Sequence, residues 1–304
     1  MAAVRYQINQ TTRYEYVNDV ALSSQLVRLS LVDRPGLSVL SQEVDIHPRP
    51  TAQRAFHDFF GNENLWLSFI EPHAVLVIDT HAIVERDAPV PPAAAQTPPW
   101  EAVREACATH FDPGPDSPAQ FLFPSRRVSL DAQITAYAAR SFKPGRPILE
   151  AVTELSNRIY TGFEYAPGVT DVASDPREAF DLRKGVCQDF AHVMIAGLRG
   201  IGLAAGYVSG YLRTIPPPGK KRLQGADAMH AWVGVWCGEE HGWVEIDPTN
   251  AKLAGNDHIP LAWGRDYVDV APVKGVIRVS GAHTLKATVD VEELEPEKPL
   301  VVPA

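Results

Sequence analysis

Between Tyr6 and Glu85 short runs of alternating apolar and polar residues follow one another with no helical period between them. They are Tyr6-Gln-Ile-Asn, Tyr14-Glu-Tyr-Val, Gln25 to Val32, Gln42 to His47, the set Leu65, Leu67 and Phe69, and Ala74 to Glu85. A period of two turns every second side chain to one face, so each run reads as a strand that must bury that face. Many short strands with no crossover helices leave an antiparallel sandwich as the economical arrangement. Gly61-Asn62 supplies a turn pair, and the cluster of His57, Asp58 and Asn62 around it is read as a turn in which Asp and Asn hydrogen-bond their own backbone rather than as a metal site or a second active site. Residues 87–99 contain Pro89, Pro91, Pro92, Pro98 and Pro99 among alanines, which marks an extended linker. A β domain over 1–86 and a linker over 87–99 follow.

Beyond the linker the period changes to that of a helix. Trp100 to Phe111, Leu130 to Phe142 and the stripe Ile148, Leu149, Val152, Leu155, Ile159 predict three helices. A fourth starts at Asp175 as N-cap, with Pro176 at its first position and Glu178 two further on, and Gly185 is expected to stop it. In the fifth, Phe190, Val193, Met194 and Leu198 recur three to four apart, a helix with one buried stripe. Cys187 falls in its first turn. Free N–H groups and the positive end of the helix dipole favour a thiolate there, the nucleophilic form of cysteine. His192, five residues on, lies about 140° round the helix and is a poor base for that thiol; Asp189 is expected to fix the helix start.

Two alternating runs downstream supply the base. Met229-His-Ala-Trp-Val-Gly-Val-Trp-Cys and Trp243-Val-Glu-Ile-Asp read as strands joined by a loop from Gly238 to Gly242. In an antiparallel pair, His230 and Asp247 share a face only if paired residue numbers sum to an odd value; a sum of 477 sets them directly opposite, with Gly238-Glu239 as the turn. A nucleophile on a helix, a base on one strand and an orienting carboxylate on the next form a Cys-His-Asp triad. The order Gly-x-Cys-x-Asp, His-Ala-Trp, Asp-Pro-Thr-Asn resembles the transglutaminase-like superfamily of papain-like thiol enzymes. The first 86 residues, with their Asp-Phe-Phe-Gly-Asn turn, resemble the N-terminal domain that accompanies bacterial members, and Gly264-Arg-Asp-Tyr with Asp269-Val-Ala-Pro is similar to the same family. The resemblance implies Cys187 as nucleophile, His230 as general base and acid, and Asp247 as its orienter.

The expected fold is therefore α+β: an N-terminal antiparallel β-sandwich, then a papain-like transglutaminase core over 100–294 with helices packed on an antiparallel sheet, and a loose tail over 295–304. The oxyanion hole is assigned to the backbone N–H of Cys187 and to Tyr165, and the substrate cleft to Gln188 and Trp232. The loop from Arg213 to Met229 enters His230 directly and could gate the cleft; its basic triplet Lys220 to Arg222 reads as solvated.

Composition narrows the function class. A formal net charge of −9 argues against a nucleic-acid partner. Cys107, Cys187 and Cys237 can make neither a disulfide framework nor a Cys-x-x-Cys metal pair. No Gly-x-Ser-x-Gly elbow, His-Glu-x-x-His helix, phosphate loop or calcium loop occurs, so no metal or cofactor is expected. The N-terminus lacks a signal-peptide core and no apolar stretch reaches a membrane span, so a cytoplasmic enzyme without membrane contact is expected. The expected reaction is attack on a peptide or protein amide through a thioester, with hydrolysis favoured; transamidation and a non-catalytic peptide-binding module are the alternatives.

Overall fold

Each alternating run of the first 86 residues begins in a strand of the structure, a computed structural model that describes residues 3–214, 227–278 and 282–295. The strands are β1 (Val4–Val20), β2 (Leu22–Val27), β3 (Leu37–His47), β4 (Ala52–His57), β5 (Glu63–Phe69) and β6 (His73–Arg86). The runs at Tyr6 and Tyr14 merge into the single strand β1, and the run from Gln25 leaves its strand after Val27. Next come α1 (Trp100–Thr109), α2 (Ala132–Ala139), α3 (Ile148–Gly162), the two-residue β7 (Glu164–Tyr165), α4 (Pro176–Leu182), β8 (Lys184–Gly185) and α5 (Cys187–Gly200). The chain continues through β9 (Ala205–Leu212), β10 (Ala228–Trp236), β11 (Trp243–Asp247), β12 (Lys252–Leu253), β13 (His258–Gly264), α6 (Tyr267–Val270), β14 (Val273–Arg278) and β15 (His283–Glu293). The basic triplet and most of the loop before His230, residues 279–281 and the tail beyond 295 lie outside the described residues.

Two antiparallel four-stranded sheets, in the orders β15-β1-β6-β3 and β14-β2-β5-β4, form the sandwich. Its core draws on β1, β2, β5 and β6, where Tyr6 and Ile8, Val27, Leu67 and Phe69, Leu76, Ile78 and Val84 are all buried, while every residue of β4 is exposed. The sequence assigned the last two strands to the catalytic core. The structure corrects this, because β15 pairs with β1 and β14 with β2, closing the sandwich from the far end of the chain. A period-two run specifies a buried face and leaves the choice of sheet open. Here the open edges of β1 and β2 take the returning chain, and Val289 and Val291 add their side chains to the sandwich core.

The second unit is a five-stranded antiparallel sheet, β12-β11-β10-β9-β13, with α5 packed on β9 and β10. The fold is thus α+β, as expected. α5 departs from the one-stripe expectation: every residue from Gln188 to Arg199 is buried. It lies between the sheet and the helices α2, α3 and α4, so its polar face is covered as well. Sandwich and five-stranded sheet share a core, since Tyr211, Ile259 and Leu261 pack among the sandwich residues and the Tyr211 hydroxyl donates to Gln10 at 2.7 Å. Among the described residues no helix is long and apolar enough to cross a membrane.

Candidate active site

The helix carrying Cys187 begins abruptly, and the residues before it explain how. α4 is capped by Asp175, whose carboxylate accepts from Arg177 N at 2.8 Å. It ends at Leu182 rather than at Gly185, with Arg183 in the left-handed region at φ 55°. That conformation is costly for a residue with a Cβ. It coincides with the Arg183 guanidinium lying over Phe180, Phe163 and Tyr137 at 4.0, 4.8 and 5.0 Å. Gly185 has a different task. A Cβ there would lie 2.6 Å from Asp189 Oδ2, and that oxygen accepts from Val186 N at 2.8 Å and from the Thr170 hydroxyl at 2.7 Å. Asp189 therefore ties off the N-cap N–H, as expected, and Gly185 leaves room for it. Cys187 follows as the first residue of α5, half-buried, at the helix end where N–H groups lack intrahelical acceptors.

β10 and β11 bring the base and the carboxylate together. Val233 pairs with Ile246 and Trp236 with Trp243, so paired positions sum to 479. The sum is odd, which puts His230, Trp232 and Asp247 on one face, but it is two higher than the value that sets His230 opposite Asp247. Cys237 N donates to Gly242 O at 2.8 Å, so the connection is a four-residue loop rather than the turn Gly238-Glu239. His230 reaches Asp247 diagonally: its Nε2 lies 2.9 Å from Asp247 Oδ2, with both side chains buried. The Cys187 side chain is near enough to the imidazole to strengthen its hold on a proton. Burial favours the neutral ring, but hydrogen bonds to Asp247 and Cys187 outweigh it and raise the His230 pKa from 6.5 to about 9. His230 therefore holds a proton more tightly than a free imidazole does.

Asp247 collects more partners than a triad requires. Its Oδ1 accepts from the backbone N–H of Thr249 at 2.8 Å and of Asn250 at 3.2 Å, the turn expected of Asp-Pro-Thr-Asn. Its Oδ2 accepts from Asn250 Nδ2 at 2.7 Å and also faces His258 Nε2 at 3.2 Å. Burial works against the charge, but the bonds from His230, His258 and Asn250 hold the carboxyl well below the usual carboxylate range. Sequence reasoning missed His258. Its signal was a polar ring opening a strand in which Ile259 to Ala262 are apolar, since a buried ring there needs a partner. The facing atoms of His230, Asp247 and His258 lie within 4.8 Å of one another, a donor set that can also bind a metal. The surroundings favour protons. Asn250 Nδ2, a donor that cannot ligate a cation, stands 2.7 Å from Asp247 Oδ2 and 3.5 Å from His230 Nε2. Gly255 N donates to His258 Nδ1 at 3.4 Å, which leaves the proton of the neutral ring on Nε2.

The remaining sequence-predicted residues divide. Tyr165 is half exposed on β7, its ring 6.4 Å from that of Phe190. Burial raises its pKa, and the nearby Cys187 and Asp189 add to the rise. Gln188 is buried, and its amide faces the Val172 carbonyl at 3.4 Å, fastening the loop before α4 to the helix. Trp232 does not line a cleft. It is 0 % exposed, donates Nε1–H to Glu245 at 2.7 Å and stacks on the His230 ring at 6.1 Å. Its ring crosses Gly210, where a Cβ would stand 2.5 Å from Trp232 Cη2. Only glycine leaves that space. His192, buried against Tyr207, accepts from Tyr267 N at 3.2 Å, and burial lowers its pKa to about 4. It both packs on Tyr207 and takes up the first N–H of α6. Cys107 and Cys237 are buried, and burial pushes their pKa values to about 11 and 12.

Comparison with known proteins agrees with this architecture. The profile of the transglutaminase-like superfamily matches residues 135–248, and that of the bacterial transglutaminase-like N-terminal region matches residues 6–85. An uncharacterized protein of Mycobacterium tuberculosis is 38% identical over 300 residues, covering 96% of this chain and 93% of its own. One from Mycobacterium leprae is 29% identical over 294 residues, covering 95% and 99%. The crystal structure of a candidate cysteine protease from Cytophaga hutchinsonii superposes with a TM-score of 0.76 at 20% identity, covering 98% of this chain and 93% of that one, which shows a common fold. Fold and site together define a protein of the thiol-enzyme kind. The chain belongs to the transglutaminase-like superfamily and carries its bacterial N-terminal region.

Proposed function

We propose that the protein hydrolyses amide bonds through Cys187, with His230 as general base and acid and Asp247 as the group that orients His230. The observation that carries this reading is one imidazole whose Nε2 lies 2.9 Å from Asp247 Oδ2 and whose pKa is raised by Asp247 and by the neighbouring Cys187 side chain. In this reading the thiolate sulfur attacks the carbonyl carbon and forms the C–S bond, while the oxygen takes the negative charge. The helix-start N–H of Cys187 donates to that oxygen, with the Tyr165 hydroxyl as second donor. Collapse breaks the C–N bond and His230 gives its proton to the leaving amine. His230 then takes a proton from water, whose oxygen attacks the thioester, releasing a carboxylic acid and restoring the pair.

Incubation with a peptide library, with and without a primary amine, followed by mass analysis, tests the reading. Cleaved peptides that gain one water are the expected product. Amine adducts formed in preference to cleavage would replace hydrolysis by transamidation, the superfamily's other outcome for the same thioester. Cys187→Ala should abolish either product and keep the fold, because one half-buried thiol at a helix start contributes little packing. Turnover by that variant on a substrate of the native enzyme would remove the thiol mechanism.

A further inference from the structure

We infer that His258 is a positioning residue of the site: as a neutral imidazole it donates Nε2–H to Asp247 Oδ2 beside His230, so that two imidazoles share one carboxylate oxygen and hold it toward the base. The inference rests on the reading of Cys187, His230 and Asp247 as the reacting group. Three observations carry it. His258 is 1 % exposed and His230 8 %, and their Nε2 atoms stand 3.2 and 2.9 Å from the same oxygen. The N–H of Gly255 points at His258 Nδ1, which makes Nδ1 the acceptor and Nε2 the donor. Both rings pack on Trp232, His230 stacked at 6.1 Å and His258 edge-on at 5.2 Å, so one indole fixes the planes of both imidazoles.

The backbone of His258 is held as firmly as its ring. Arg86, buried at the end of β6, donates Nε–H to the His258 carbonyl at 3.0 Å, so the sandwich itself anchors this residue beneath the site. Asn250, Thr249 and His230 all reach Asp247 from the hairpin and the turn that follows it. His258 is the donor that comes from a strand on the far edge of the sheet, β13. It therefore supplies the contact that stops the carboxylate from moving with the β10–β11 hairpin. Displacement of an orienting group by a fraction of an ångström is enough to slow a reaction by an order of magnitude or more.

The test compares His258→Leu and His258→Gln, since a glutamine amide places an N–H donor near the position of the imidazole Nε2. The rate of alkylation of Cys187 by iodoacetamide is measured by peptide mapping at about pH 6, together with Tm. Histidine ¹⁵N spectra of the wild type report the tautomer. The expected results are a neutral Nε2–H tautomer at His258, a Cys187 rate reduced about tenfold in His258→Leu, and recovery to within about threefold of wild type in His258→Gln. An Nδ1–H tautomer in the wild type overturns the proposal even if both variants fail to fold. So does a stoichiometric metal in the purified protein that His258→Leu releases. A wild-type rate in folded His258→Leu, with Asp247→Asn and His230→Ala both slow, overturns the role of His258 and leaves the triad reading intact. Unchanged rates in Asp247→Asn and His230→Ala as well would overturn both.

Discussion

Burial and hydrogen bonding compete at His230, and Asp247 decides the outcome in favour of the charged ring. A proton held more tightly in the folded state than at the ordinary value of 6.5 contributes to stability. That contribution is fully present below about pH 6.5 and is lost as the pH rises through about 9. The span corresponds to about 3 kcal/mol. Urea unfolding of wild type and His230→Ala from pH 6 to 10 should show the difference between them shrinking as pH rises; a gap that widens would mean the ring is buried neutral. The thiols make a second contrast at this scale. Cys107 and Cys237 are buried with raised pKa values, whereas Cys187 is half-buried and neighbours the His230 imidazole. With limiting iodoacetamide at about pH 6, Cys187 should be labelled first and activity should fall in step. Inactivation that tracks Cys107 or Cys237 in the peptide map would remove Cys187 from the site.

At the scale of the element, the start of α5 depends on a side chain that must fit against a residue without one. Gly185→Ala would place a methyl 2.6 Å from Asp189 Oδ2 and 2.8 Å from its Cβ, closer than carbon and oxygen tolerate. Asp189 would have to withdraw from Val186 N, and the first turn of the helix would shift with Cys187 on it. The expected cost is about 1–3 kcal/mol in stability, the range for overpacking, with slower Cys187 alkylation in protein that remains folded. Chemical denaturation and peptide mapping read the two effects separately. An unshifted labelling rate would mean that the loop before α5 absorbs the methyl without moving the thiol.

For the whole molecule, the sandwich and the five-stranded sheet are joined by backbone recognition as well as by apolar packing. Asn62, in the turn before β5, donates Nδ2–H to the Trp263 carbonyl and accepts from Trp263 N, both at 2.8 Å, as a neighbouring strand would. The same turn is internally braced, Asp58 Oδ1 accepting from Phe60 N and Asn62 N at 3.0 Å. Asn62→Leu removes both bonds and takes these partners from the part-buried N–H and C=O of Trp263 in β13, a loss of about 1–3 kcal/mol. Since β13 also carries His258, the variant should slow Cys187 alkylation as well as lower the urea midpoint. Loss of stability with wild-type labelling would show that the sandwich supports the fold without reaching the site.

What the residues announce by themselves is local. Alternation from Tyr6 to Glu85 specifies strands, Asp175-Pro176 specifies a helix start, and the two runs around His230 and Asp247 share parity, so the odd pairing sum was legible before any contact was known. The His57-Asp58-Asn62 turn was legible too as a self-bonded loop, though not as the piece that docks on Trp263. Each of these depends on groups a few residues apart, where spacing and capping chemistry act directly. The tertiary structure decided what long-range packing alone can decide. It sent β14 and β15 back to the sandwich edges and set the hairpin sum at 479 through a four-residue loop. It also buried Trp232 as the floor under two imidazoles and carried His258 across the sheet to Asp247. A side chain's periodicity states that it must be covered, while the partner that covers it is chosen by loop closure and competing cores elsewhere in the chain.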